Sequence, residues 1–263
     1  MAQTLAEIRE ALKAVNRAEY EALARALAAD ERKGVKAALK SAARRLAAED
    51  AEAARLEGMY SFQAKLAGGG IAVGLDEVGR GPVAGPLAIG AVVLPDDPRV
   101  EGVNDSKQLS AERREEIAAV VREVAIAWDI EYIQPQEIDE HGMTWALRTA
   151  NLRAIAAIEE QLSAKGASLD AVLLDGNAQH LDAREVNIVK GDGKCASIAA
   201  ASIIAKVDRD ALMYRYAERF PHYGFESNKG YASAEHIEAI KQYGLSPVHR
   251  ASFCRAWTQE TLF

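Results

Sequence analysis

The chain has 263 residues, of which 49% are hydrophobic, with a net charge of −7 and only two cysteines. That length can bury one substantial core with a smaller appendage, and Cys195 and Cys254 are too few for a disulfide framework. No apolar stretch approaches the roughly 20 residues that span a bilayer, and the N-terminus lacks a secretory pattern, so the expectation is a reduced, cytoplasmic protein. The negative charge argues against loose, charge-driven attachment to nucleic acid. Any such contact has to be local and completed by cations.

Residues 4–66 are rich in Ala, Leu, Glu, Lys and Arg and contain no proline, a composition that favours helix. Thr4 and Glu7 have capping-box spacing. The break at Asp30-Glu31-Arg32-Lys33-Gly34 predicts two helices. A charged helical face of this kind is most often simply solvated; a clamp on a nucleic-acid duplex is the open alternative. Gly68-Gly69-Gly70 then marks a flexible boundary, giving an extension over 1–67 and a main domain over 70–263.

Past the boundary the texture changes. Ile71 to Leu75, Leu87 to Leu94, Val124 to Ile133, Ala171 to Leu174 and Val186 to Val189 are apolar, β-branched and bounded by turn residues, and read as five strands. Helical patterns cover Ser110 to Arg122, Thr144 to Ser163 and Lys194 to Arg219. Because three strands precede the long helices, the expected architecture is α/β, a mixed sheet with helices packed on it. Short helices over Ala234 to Gln242 and Arg250 to Thr258 would form a small C-terminal cap.

Two of these strands end in acids that a closed core would not accept. In the first, Ile71, Val73 and Leu75 share one face, while Ala72, Gly74 and Asp76 share the other. Asp76 therefore sits among small neighbours, which leaves room for something to approach, and Glu77 follows at the strand end. Asp175 repeats the arrangement after Ala171-Val172-Leu173-Leu174, and Asp192 follows the last strand. A buried ionised carboxylate is costly unless paired or bound to a cation. Acids arriving from separate strands point to a divalent-metal site built of hard oxygen ligands. Behind the first pair, Gly79-Arg80-Gly81 suggests a phosphate-bearing substrate. The five histidines show no zinc-ligand spacing. Lys206 and Asp210 have the i,i+4 spacing of a surface ion pair.

These segments are similar to the bacterial ribonuclease HII family. The resemblance rests on Asp76-Glu77-Val78-Gly79-Arg80-Gly81-Pro82, Asn104-Asp105-Ser106-Lys107, Leu174-Asp175-Gly176-Asn177, Val189-Lys190-Gly191-Asp192, the helix from Ser197 to Asp210, and Lys229-Gly230-Tyr231. It covers about residues 70 to 255 and leaves the N-terminal helices as an extension. It implies an RNase H-like mixed five-stranded sheet flanked by helices. It also implies an endonuclease that cuts the RNA strand of RNA-DNA hybrids, and cuts 5′ to single ribonucleotides embedded in duplex DNA.

By the same resemblance, Asp76, Glu77, Asp175 and Asp192 would hold two Mg2+ or Mn2+ ions for phosphodiester hydrolysis leaving a 5′-phosphate and a 3′-hydroxyl. Gly79, Arg80 and Gly81 would read the ribose 2′-hydroxyl. Tyr231 would stack on the following deoxyribose, and Ser106 and Lys107 would touch the phosphate backbone. Ala232-Ser233 stands where the family commonly has Pro-Thr, which loosens that loop. His249 and Arg250 resemble a family segment to which the sequence assigns no role. The chemistry needs only a monomer. Ribonuclease HIII, a relative, typically lacks the Gly-Arg-Gly and carries a β-rich N-terminal domain.

Overall fold

A computed structural model describes residues 3–258. The chain divides into two compact units, one ending at Glu57 and the other beginning at Gly58.

The first unit holds three helices rather than two. α1 (Leu5–Ala14) opens with the predicted capping box: the Glu7 amide donates to Thr4 Oγ1 at 3.2 Å and the Thr4 amide to Glu7 Oε2 at 2.7 Å. A second box, Asn16 with Glu19, starts α2 (Arg17–Ala26), and this break at Val15-Asn16 is absent from the sequence reading. α3 (Lys33–Leu66) follows. Ile8, Leu12, Val35 and Ala42 form the buried seam of this unit.

The units divide inside α3, ahead of the glycine run where the sequence places the boundary. The reason is packing: the last two turns of α3 belong to the second unit. Tyr60 is buried and its hydroxyl accepts the Val100 amide at 3.0 Å. Gln63 Oε1 accepts the Ser197 amide at 2.9 Å. The glycines themselves end the helix. Gly68 and Gly69 take φ of +61° and +82°, and the Gly69 amide returns to the Ala64 carbonyl at 3.0 Å.

In the second unit the five strands are β1 (Ala72–Val78), β2 (Leu87–Val93), β3 (Ala127–Ile133), β4 (Ala171–Asp175) and β5 (Glu185–Ile188). They form one mixed sheet in the order β3-β2-β1-β4-β5, with β1–β2 and β2–β3 antiparallel and β1–β4 and β4–β5 parallel. Helices α4 (Ala111–Val124), α5 (Pro135–His141), α6 (Met143–Ser163) and α7 (Ala196–Arg219) surround it. The sequence reading omits α5, although Pro135 at its first turn and the Gln134–Glu137 box announce it.

The two faces of the sheet are packed differently. Val73, Leu75, Leu87 and Ile89 meet Ala150, Ala154, Ile155 and Ile158 of α6 in the main apolar core. On the other face, Gly74 and Gly90 accept α7 at main-chain distance. A Cβ at Gly74 would collide with backbone atoms of Ser197 and Ile198, and one at Gly90 with the Ala201 carbonyl. The small side chains beside Asp76 therefore make room for a helix, not for an incoming ligand, which corrects that part of the sequence reading. The C-terminal cap comprises α8 (Phe225–Asn228), α9 (Ala234–Tyr243) and α10 (Arg255–Thr258). The last helix begins at Arg255, not Arg250, because Ala251–Phe253 form a separate 3-10 turn.

Candidate active site at the strand ends

Parallel pairing aligns Leu75 with Leu174, so Asp76 and Asp175 leave the sheet on neighbouring strands. Glu77 follows Asp76 in β1, and Asp192 lies in the Gly191–Gly193 turn between β5 and α7. The Gly191 amide donates to Asp175 Oδ1 at 2.6 Å, tying that turn to β4.

Asp76 is 8% exposed. Burial pushes its carboxyl up to about 8; a hydrogen bond from the Ser202 side chain opposes this, while the charges of Glu77, Asp175 and Asp192 add to it. Burial also raises Glu77, which Arg80 counters from 3.7 Å. Asp192 is raised by burial, then by Asp105 and Asp175, with Lys107 acting against them. Glu77, Asp175 and Asp192 thus stand close enough for their charges to act on Asp76. Among the described residues, however, no three acidic, His or Cys side chains close into a finished ligand cage. A carboxylate pressed toward its neutral form by burial, and further by like charges, is the environment a hard cation relieves. The donor set, all oxygen, fits a hard divalent cation rather than a softer metal.

The loop after β1 is fixed by two buried arginines. Arg250, fully buried, donates through Nη2 to the Gly79 carbonyl (2.6 Å), through Nη1 to Arg80 (3.1 Å) and Pro82 (2.8 Å), and through Nε to Gly85 (3.0 Å). Arg209 donates to the Pro86, Lys229 and Ala84 carbonyls at 3.0, 3.0 and 3.1 Å. Burial, then the cation of Arg209, lowers Arg250 to about 9, so it stays charged at neutral pH. Peptide groups are planar and trans. With the Gly79 and Arg80 carbonyls turned toward the guanidinium, the amide N–H groups of Arg80 and Gly81 point the opposite way. Gly79 itself takes φ of +88°, and a Cβ there would run into Arg209.

The ring of Tyr231, 54% exposed, flanks that loop: its Cε1 is 3.5 Å from where a Gly81 Cβ would be. The Gly230 carbonyl accepts the amides of Val83 (2.8 Å) and Ala84 (3.2 Å), which holds the two loops together. Of the remaining sequence-predicted residues, Lys107 is exposed beside Asp192, whereas Ser106 is buried with its hydroxyl 3.0 Å from that of Ser202. Ser106 therefore lies behind Asp76 rather than at the surface. Lys206 pairs with Asp210 at 2.7 Å, as its spacing predicts. A groove of about 420 Å3, lined by Glu77, Arg80, Arg148, Asp175, Asn177 and Gln179, opens beside the carboxylates.

The sequence reading assigns no role to Ser202, Asp105, Arg209 or Arg250, although it singles out Arg250 together with His249. Arg209 carried a signal: it continues the stripe of Ile198, Ala201, Ala205 and Met213 on α7, where a cation has to be buried. Arg250 sits in no periodic element, and its acceptors lie up to 171 residues away in the chain.

The family model described as "Ribonuclease HII" matches residues 73–256, and that described as "Ribonuclease HII N-terminal domain" matches residues 4–67. The chain is 43% identical over 212 residues to a ribonuclease HII of Ruminiclostridium cellulolyticum, covering 80% of this chain and 81% of the relative. It is 39% identical over 255 residues to a ribonuclease HII of Clostridioides difficile, covering 96% and 98%. The crystal structure of the ribonuclease H2 from Pyrococcus horikoshii matches with a TM-score of 0.59 at 28% identity, over 71% of this chain and 96% of that one.

Proposed function

The chain belongs to the ribonuclease HII family, and from that premise we propose how its residues perform the cleavage and where they direct it. The enzyme is an endonuclease acting on RNA in RNA-DNA hybrids. In our reading Asp76, Glu77, Asp175 and Asp192 hold two divalent cations, Mg2+ or Mn2+. When bound, such ions activate water and offset charge on the departing 3′ oxygen.

The chain's own residues do the rest. Ser202 orients Asp76 by its hydrogen bond, and Arg80 balances Glu77. The outward amides of Arg80 and Gly81 recognise the ribose 2′-hydroxyl, the group that separates RNA from DNA. Because main-chain N–H groups carry no net charge, they select the sugar without drawing in every polyanion. Tyr231 stacks on the next sugar and so favours a ribonucleotide followed by DNA. Lys107 contacts a phosphate, with Ser106 bracing its turn. The products carry a 5′-phosphate and a 3′-hydroxyl. On this reading the enzyme also nicks duplex DNA 5′ to a single embedded ribonucleotide, the opening step of its excision.

One observation carries the reading: the two acids of β1 run directly into a loop whose carbonyls are turned inward onto Arg250 and whose amides face outward beside Tyr231. The test is a DNA duplex carrying one ribonucleotide, incubated with Mg2+ or Mn2+. A single nick 5′ to the ribonucleotide is expected, with Asp76→Asn inactive yet folded. An intact strand that alkali still cleaves would overturn the proposal.

A further inference from the structure

His236 and His249 lie side by side beneath Tyr231, outside the carboxylate site. Both are buried, at 0% and 4% exposure, against the rings of Tyr223 and Phe225. Their hydrogen bonds form a chain whose two ends can be assigned. At one end, His249 Nδ1 lies 3.0 Å from the Ser246 amide, a group that only donates, so Nδ1 carries no proton. The Ser246 hydroxyl, 2.8 Å away, reinforces that acceptor. At the other end, His236 Nδ1 lies 2.7 Å from the Tyr231 carbonyl, a group that only accepts, so this nitrogen carries a proton. The two Nε2 atoms are 3.0 Å apart. One must donate and the other accept, and for neutral rings the ends leave one solution: His249 Nε2–H donates to His236 Nε2. Burial holds both rings toward the neutral form this needs, His249 down to about 4.

We propose that this tautomer-locked relay, Ser246–His249–His236, is a positioning device for Tyr231 and thereby sets the preference for a ribonucleotide followed by DNA. The inference rests on the reading of Tyr231 given above. Its force comes from what else the same segment does. Arg250, next to His249, turns the Gly79 and Arg80 carbonyls inward. The Arg250 amide bonds the Val83 carbonyl at 2.8 Å, and His249 bridges Ala84. One five-residue segment, Ser246 to Arg250, therefore aligns both lips of the site: the loop proposed to read the 2′-hydroxyl and the ring proposed to read the following sugar. His236 and His249 act through Tyr231 and are positioning residues, not catalytic ones.

The test compares kcat/KM on a single-ribonucleotide duplex with kcat/KM on a uniform RNA-DNA hybrid, using the full chain. An asparagine amide at position 236 reaches where Nδ1 was and can still donate to the Tyr231 carbonyl. A glutamine amide reaches the Nε2 position and cannot. Relative to wild type, His236→Gln is expected to lower the ratio of the two activities about 5-fold or more, and His236→Asn, which keeps the bond to Tyr231 but loses the one to His249, to lower it about 2- to 3-fold. Adding His236→Gln to Tyr231→Ala should lower the ratio no further. Equal loss on both substrates, or an asparagine variant that behaves like wild type or like His236→Gln, overturns the relay.

If Tyr231→Ala leaves the ratio unchanged, the underlying reading of Tyr231 fails. If it lowers the ratio and His236→Gln does not, the relay alone fails. Nitrogen-15 spectra of the histidine-labelled wild-type chain at neutral pH need no variant to fold. They should give the Nδ1–H tautomer for His236 and the Nε2–H tautomer for His249, and any other pair refutes the assignment.

Discussion

Arg250→Lys isolates the geometry of the guanidinium from its charge. The wild-type fork satisfies four main-chain carbonyls, those of Gly79, Arg80, Pro82 and Gly85. A lysine ammonium is a single point with three donors on a differently shaped stem, and it cannot span acceptors arranged around a planar fork. If it keeps two of the four, two buried carbonyls lose their donors. At about 1–3 kcal/mol for each group left unmade, the loss is about 2–6 kcal/mol, and at about 1.5 kcal/mol apiece it is about 3. For a unit of this size that corresponds to a drop in Tm of roughly 6–12 °C. It is a large share of the 5–15 kcal/mol typical of a folded domain, but not all of it.

The functional effect is separate. Once their carbonyls are released, the peptide planes at 79–80 and 80–81 can rotate, and the outward amides of Arg80 and Gly81 lose their fixed aim. Two hydrogen bonds worth about 1 kcal/mol each give about a 30-fold loss in kcat/KM. The assays are calorimetry and cleavage of a single-ribonucleotide duplex well below the lowered Tm. An Arg250→Lys protein that melts with wild type and cleaves within about 2-fold of it would refute the idea that this fork organises the loop.

Gly90→Ala drives a methyl into the Ala201 carbonyl and forces α7 off the sheet. A cost of about 1–3 kcal/mol is expected in urea unfolding, with reduced activity because Ser202 moves relative to Asp76. Without metal, Asp76→Asn should raise Tm while abolishing cleavage. A carboxyl raised to about 8 in the fold costs stability progressively as pH climbs past its ordinary 3.8, and the amide removes that cost; a lower Tm in metal-free buffer would contradict this. His249, whose ordinary value is 6.5, is held at about 4. The unfolded chain takes the proton first, so the neutral ring's contribution is complete above about pH 6.5 and declines as pH falls toward about 4. At about pH 5 the loss is about 2 kcal/mol. Wild type minus His249→Gln, measured in urea at about pH 7.5 and about pH 5, should show that difference, and a pH-independent difference would refute it.

What the sequence made legible follows from which forces act locally. The strands could be read because β-branched runs ended in turn residues, and β1 displays the alternation it was assigned: Val73 and Leu75 in the α6 core, Asp76 on the opposite face. Gly74 and Gly90 were harder. A glycine in a strand signals close approach, but the sequence does not say whether ligand or helix approaches, and here it is the backbone of α7. Helix breaks at Asn16 and Pro135 had capping signatures that could have been used. The arginine braces could be read only in part. Arg209 interrupts an apolar stripe and so advertises burial, whereas Arg250 depends on a loop brought to it by the whole fold.

Cleavage and selectivity, on the proposed reading, rest on different parts of the architecture. The carboxylates are placed by strand register, Asp76 and Asp175 on adjacent parallel strands and Asp192 on the turn that Asp175 anchors. The selective groups, the Arg80 and Gly81 amides and the Tyr231 ring, lie on loops with no strand pairing of their own. Those loops take their shape from buried side chains, Arg209, Arg250, His236 and His249, that spend their donors on main-chain carbonyls or on each other. A neutral surface of amides and one ring also suits a chain of net charge −7. It can discriminate by contact where a basic patch would bind any polyanion. Substitutions beneath the loops should therefore change which phosphodiester is cut, while substitutions at the strand ends should change whether any is cut.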